Sequence, residues 1–260
     1  MHPLIDKQLV RDRFRRTLFS YGRHAVVQKA MARELAEIIC EQEPARSFER
    51  ILEVGSGSGA LMAEMLARCT VKSYYANDLV AESRTSLQGV LDRFAVGEFY
   101  FLAGDIESLE LLPSSLDLVV SSATLQWLND LDGFFRKVSL HLKPGGMLAF
   151  TTFGPSNMRE ILAIEGVGLS YHSLGELELL AGRYFEMSVS REETLRMEFS
   201  SPEAMLHHIR STGVNGLLRR SWTKSRYLNF IKEYRRLFST DNGVYLTYHP
   251  LYCCMKKRIS

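Results

Sequence analysis

An α/β fold is what this sequence predicts: a doubly wound, mostly parallel sheet with a helical lid. Three observations predict it. From residue 51 to 153, short apolar runs alternate with amphipathic stretches, the rhythm of strands and crossover helices. The run Ile51-Leu52-Glu53-Val54 breaks straight into Gly55-Ser56-Gly57-Ser58-Gly59 and then into an amphipathic segment. Such a strand, glycine turn and helix bring backbone N–H groups and bare Cα atoms against a nucleotide-like ligand. Finally, two amphipathic segments precede the first strand, where they would lie near the open edge of that pocket.

Composition sets the outer limits. The 260 residues are 46% apolar and 24% charged, enough for one substantial α/β domain. A single domain over 1–260 is expected, with lid pieces at 8–42 and 200–240. A net charge of +2 is too small to argue for nucleic acid. The N-terminus shows no charged-then-apolar leader, and no apolar run approaches a membrane span. Cys40, Cys69, Cys253 and Cys254 have neither C-x-x-C spacing nor neighbouring histidines, so neither disulfides nor a metal site is expected. A reducing cytoplasm fits that pattern.

In chain order, Val10, Phe14, Leu18 and Tyr21 recur at helical spacing among Arg11, Arg13, Arg15 and Arg16, with Gly22 as the expected interruption. Val27, Met31, Leu35 and Ile38 form the stripe of a second helix that Pro44 ends. Strands are expected at 51–54, 71–76, 98–103, 116–121 and 147–153. Helices are expected at 60–66 and 81–94, and again through Phe134, Val138 and Leu142. Lys143-Pro144-Gly145-Gly146 reads as a turn. Beyond it, 173–181, 202–211 and 224–238 read as helices and 184–199 as strand-rich. Residues 244–255 read as one long strand that completes the sheet.

Every candidate functional residue of the α/β part sits at the carboxyl end of a strand, where such sheets bind ligands. G-x-G-x-G, with an acidic residue two places before its first glycine, resembles motif I of class I S-adenosylmethionine (AdoMet)-dependent methyltransferases, which are Rossmann-like. That resemblance implies AdoMet as methyl donor. Gly55, Gly57 and Gly59 then cradle it, and Glu53 orients the turn and meets the methionine ammonium through water. Asp78 would accept from both ribose hydroxyls; its alternative reading is a cap for the following helix. Asp105 would accept from the adenine amino group, with Ile106 covering the ring. Leu79 beside Asp78, and Ser121 at the head of the stretch after the fourth strand, complete the cofactor set. Trp127 in that stretch is either an aromatic wall near the sulfonium or simply core.

Longer stretches narrow the resemblance. Leu102-Ala103-Gly104-Asp105-Ile106-Glu107-Ser108-Leu109, Leu125-Gln126-Trp127, Leu142-Lys143-Pro144-Gly145-Gly146 and Phe150-Thr151-Thr152-Phe153 look like the malonyl-[acyl-carrier protein] O-methyltransferase family. So do Phe14 through Tyr21, His24-Ala25, Gln28, Arg210-Ser211-Thr212-Gly213 and Leu246-Thr247-Tyr248. Ser56, Ser58 and Val214-Asn215 depart from that family's usual residues, which bears on the acceptor more than on AdoMet. The resemblance implies methylation of a malonyl carboxylate at the start of pimelate assembly for biotin. A carboxylate with a reference pKa near 4 is already ionised at pH 7 and attacks without a base. Arg210 is the candidate to hold it, its alternative reading being a solvated helix arginine; Tyr21 is the candidate to close over AdoMet, and Trp127 to wall the acceptor. The histidines are expected to be structural. Malonyl-acyl-carrier protein is the expected partner, with malonyl-coenzyme A as the alternative carrier and the enzyme a monomer. Arg15, Arg16, Arg219, Arg220, Lys224 and Arg226 are candidates to steer an acidic carrier. Two rivals stand beside this reading. One is a methyltransferase for a small carbon or oxygen acceptor such as a quinone precursor, which would need a base. The other is a non-catalytic AdoMet-binding regulator.

Overall fold

A computed structural model describes residues 4–166, 168–212 and 223–258. The N-terminal pair of helices is α1 (Lys7–His24) and α2 (Val26–Gln42). The α/β part follows as β1 (Ser47–Val54), α3 (Ala60–Leu66), β2 (Thr70–Asp78), α4 (Ser83–Leu91), β3 (Glu98–Ala103) and β4 (Leu116–Ser122). A single 3₁₀ turn, Leu125–Trp127, leads to α5 (Leu131–His141) and β5 (Leu142–Phe153). The rest comprises α6 (Arg159–Glu165), α7 (Leu174–Ala181), β6 (Phe185–Glu192), β7 (Leu195–Phe199), α8 (Pro202–Ser211), α9 (Lys224–Phe238), β8 (Ser239–Thr240), β9 (Gly243–Tyr248) and β10 (Pro250–Lys257).

Seven strands form one sheet in the order β3-β2-β1-β4-β5-β10-β6. β3 through β5 are parallel, and β10 runs antiparallel to both β5 and β6. Strand order reverses between β1 and β4, which opens a crevice at their carboxyl ends. Alternate residues of β1 feed opposite faces. Ile51 joins Leu35, Leu61 and Met65 of α2 and α3, whereas Leu52 and Val54 join Phe134, Phe135 and Val138 of α5. With both faces covered, near-continuous apolar strands are the physical requirement.

The structure corrects the expected elements at four places. α1 runs through Gly22, whose absent Cβ would meet nothing within 4 Å, and the break falls at Ala25. Lys143-Pro144-Gly145-Gly146 is not a free turn. It lies inside β5, whose pairing with β4 begins at Leu116–Leu142 and shifts register before Leu118. α6 was not expected from the sequence. The long strand over 244–255 is two strands, because Pro250 lacks the N–H that would continue the ladder. β9 therefore leaves the main sheet and joins β7 and β8 in a three-stranded one. α8 and α9 pack on β9. His208 Nε2 lies 2.8 Å from the Tyr248 hydroxyl, and Tyr234 donates to the Tyr245 carbonyl at 2.8 Å. No described helix is long and apolar enough to cross a membrane.

Candidate active site

The crevice is a cleft of about 1060 Å³, partly open to solvent, at the ends of β1 through β4. α1 roofs it with Lys7, Val10, Phe14 and Leu18, which share one helical face.

The floor is the glycine turn. Gly55 has φ +77°, and a Cβ there would lie 2.1 Å from Thr124 Oγ1. Only glycine fits that backbone and that approach. The amides of Gly55 and Ser56 both donate to the Asn77 carbonyl at 2.9 Å. The Asn77 side chain in turn donates to the carbonyls of Leu102 and Gly104, so one residue ties β1, β2 and β3 ends together. Gly57 donates its amide to Asp78 Oδ2 at 2.7 Å, and Val80 donates to Asp78 Oδ1 at 2.7 Å. Asp78 thus clasps the loop and the turn after β2; α4 itself begins after Glu82 without a side-chain cap. Burial raises the Asp78 pKa, against the amides of Val80 and Gly57 and the Ser83 hydroxyl. Each carboxylate oxygen keeps a second lone pair for a ligand hydroxyl.

Glu53 lines the same floor and accepts from the Tyr74 hydroxyl at 2.7 Å. Burial pushes its pKa up to about 8, opposed by the Tyr74 bond and reinforced by the charge of Asp78. Leu79, Asp105 and Ile106 also line the cleft. Asp105 Oδ1 is already engaged by Lys7 Nζ and the Glu107 amide. Trp127 is buried in the wall, with Phe14 edge-on at 5.6 Å between ring centroids. Gln126 braces that wall, donating to the Ala123 carbonyl and accepting from Thr152.

Other expected residues lie elsewhere. Gly59 (φ +79°) starts α3, where a Cβ would lie 2.8 Å from Val90. Ser121 is fully buried beneath the loop and donates to the Val54 carbonyl at 2.9 Å. Neither lines the cleft. Arg210 is exposed in the last turn of α8, outside the lining and with no ion-pair partner among the described residues. His207, one turn earlier, places its ring 6.0 Å from that of His24 at the end of α1. The Tyr21 side chain, and Arg219 and Arg220, lie outside what the structure describes. Lys7, Gln28, Lys29, Asn77 and Thr124 line or shape the cleft and were not expected site residues. For Lys7 the signal was its place at the head of the stripe Val10, Phe14, Leu18. The others carry no sequence signal.

Two observations test AdoMet against this cleft. The Gln28 Oε1 and Ser56 Oγ atoms are buried in its lining without a hydrogen-bond partner among the described residues, a cost that a polar ligand removes. The Gly55 cradle admits a ligand where a side chain would block it. Both fit.

The sequence is 52% identical over 258 residues, 99% of this chain and 98% of the relative, to malonyl-[acyl-carrier protein] O-methyltransferase of Chlorobium luteolum. The chain belongs to that family. Residues 52–150 match the family described as "Methyltransferase domain". Among solved structures, the YcgJ protein of Bacillus subtilis superposes with a TM-score of 0.63 at 16% identity, covering 87% of this chain and 99% of that one. Phosphoethanolamine N-methyltransferase 2 of Haemonchus contortus, in complex with S-adenosyl-L-methionine, has a TM-score of 0.57 at 17% identity, covering 96% of this chain and 60% of that one. These two likenesses concern the fold. The full-length relative places this chain among the malonyl-[acyl-carrier protein] O-methyltransferases.

Proposed function

We propose that this chain transfers the methyl group of AdoMet to the free carboxylate of malonyl-acyl-carrier protein, forming a methyl ester. The observation that carries the reading is the cleft lining: three carboxyl groups at strand ends, a glycine cradle, and no histidine among the described lining residues. His24, His208 and His249 contact His207, Tyr248 and Glu192 instead. A carbon or phenol acceptor needs a base, and a carboxylate does not. The names of the full-length relatives supply the malonyl acceptor.

AdoMet, when bound, supplies a methyl group activated by sulfonium. Asp78 takes the ribose hydroxyls, Asp105 the adenine amino group, and Leu79 and Ile106 cover the ring. Glu53 faces the methionine end, and Gly55 and Gly57 let the backbone close on it. Gly59 and Ser121 shape the loop from beneath. Trp127 and Phe14 wall the chamber, and Tyr21 completes the cover. Arg210 reaches from α8 to hold the malonyl carboxylate by two parallel hydrogen bonds. The carboxylate then attacks in line, with no proton to move, so catalysis rests on alignment and exclusion of water. α1 and α2, with the 200–240 region, serve as the lid. Arg16 and Lys224 are exposed and suited to steer an acidic carrier, as is Arg15, although it lies 3.8 Å from Glu82, whereas Arg226 pairs with Glu165. We place the enzyme in the cytoplasm, as a monomer.

Mass spectrometry of malonyl-acyl-carrier protein after incubation with the enzyme and AdoMet tests the proposal. A gain of one methyl mass, removable by mild ester hydrolysis, is the expected outcome. Methylation of malonyl-coenzyme A but not of the carrier protein would change the partner. No gain with either, despite AdoMet binding, would overturn the acceptor assignment.

A further inference from the structure

Six residues from three distant parts of the chain meet beside the start of α1. Lys7, in the first turn of α1, bonds Asp105 Oδ1 at 3.2 Å and is also paired with Glu107 Oε2. Two residues earlier, the Ile5 amide donates to Asn129 Oδ1 at 2.7 Å, and Asn129 Nδ2 donates back to the Ile5 carbonyl at 3.2 Å. Glu107 closes the cluster by accepting from the amides of Asn129 and Asp130. Only about a fifth of each charged side chain in the Lys7 pairs reaches solvent, so these contacts are screened less than open surface pairs. Burial works against the Glu107 charge, yet Lys7 and the two amides hold its pKa below the ordinary carboxylate range.

Lys7 also faces the cleft, together with Asp105. Its bond and that of the Glu107 amide both fall on Oδ1 of Asp105, which fixes the carboxylate plane and leaves Oδ2 for a ligand. The same side chain pins the N-terminal end of the helix whose Val10, Phe14 and Leu18 cover the cleft. The Lys7 ammonium bonds both the Asp105 and the Glu107 carboxylates and so holds the two aligned.

We infer that Lys7 is a positioning residue for the adenine end of the cofactor, orienting Asp105 towards the ring amino group and clasping α1 over the filled cleft. This rests on the reading of the cleft as an AdoMet site. Cofactor departure then requires the Lys7 contacts to open, so the residue acts mainly on the dissociation rate.

Titration calorimetry and stopped-flow with S-adenosylhomocysteine, the non-reacting product form, test it on the full chain. Lys7→Met is expected to weaken binding about tenfold, chiefly through faster release, and Lys7→Arg to restore most of it. In an Asp105→Asn background, Lys7→Met should cost less than about threefold, because the two residues act as a unit. A thermal unfolding transition checks each variant's fold, and Lys7→Gln replaces Lys7→Met if the latter does not fold. Binding by Lys7→Met within about twofold of wild type, or full additivity with Asp105→Asn, would overturn the role of Lys7. Failure of the wild type itself to bind would overturn the AdoMet reading instead.

Discussion

The carboxyl ends of β1 to β3, which line the cleft, and the lobe of α8 and α9, whose described residues do not, are built on different principles. At the strand ends nearly everything is backbone geometry and buried carboxylate: Gly55 against Thr124, Asn77 bridging three strands, Asp78 clasping two amides. Those groups are held before any ligand arrives. On the lobe, the proposed acceptor residue Arg210 is exposed and unpaired among the described residues, and its helix is anchored from behind by His208 and Tyr248. One side is preorganised for a constant ligand. The other carries the long, exposed arginine proposed for the acceptor. Preorganisation lowers the ordering cost of binding, so affinity should reside in the first region and acceptor turnover in the second.

The largest expected effect comes from breaking the rigid side. Gly55→Ala places a Cβ 2.1 Å from Thr124 Oγ1 at φ +77°, and calorimetric binding of S-adenosylhomocysteine should fall below detection. Pairing it with Thr124→Gly relieves the clash but not the dihedral strain, which alone costs about 1–3 kcal/mol. Arg210→Ala probes the other side. Its kcat/KM with the malonyl carrier should drop by the equivalent of about 2–5 kcal/mol, with cofactor affinity within about twofold of wild type. A loss of cofactor affinity instead would erase the proposed division.

Glu53 sharpens the comparison through pH. Its folded pKa of about 8 lies above an ordinary value near 4.5, so its stabilising contribution is full below pH 4.5 and is lost as pH rises through 8. Glu53→Gln should remove that slope, giving a flatter stability profile across the window in denaturant titrations at successive pH values. The smallest effect concerns docking. Arg16→Glu with Lys224→Glu should raise KM for the carrier protein about tenfold at low salt, and less at high salt. The same pair should leave cofactor binding unchanged.

The two regions were also unequally legible in the sequence. Gly55, Gly57, Asp78 and Asp105 stand at strand ends in an ordered local pattern, and strand ends are where an α/β sheet must bind. The parallel core, α8 and α9 followed from periodicity alone. Lys7 was hidden because its partner Asp105 is 98 residues away and its own neighbourhood reads as an ordinary basic helix. Asn77 and Thr124 act through a backbone carbonyl and a close approach, which no side-chain pattern encodes. The split of β9 from β10 turned on Pro250, a residue a single-strand reading passes over. Ser121 was expected to meet the cofactor, but it is buried outside the cleft lining and its hydroxyl serves the Val54 carbonyl under the loop.

The seating of β10 between β5 and β6 has a consequence for synthesis. Both neighbours precede it in the chain, and β10 pairs with β5 from Pro250 to Lys256 and with β6 from Leu251 to Lys257. A growing chain therefore carries two facing sheet edges with unpaired amides and carbonyls until this strand emerges, and such edges recruit other chains. The parallel strands β1 to β4, with the cofactor cleft at their ends, need nothing from β10 for their own ladders. A nascent chain halted before Pro250 would thus hold the strands that carry the glycine turn beside an open, unpaired flank.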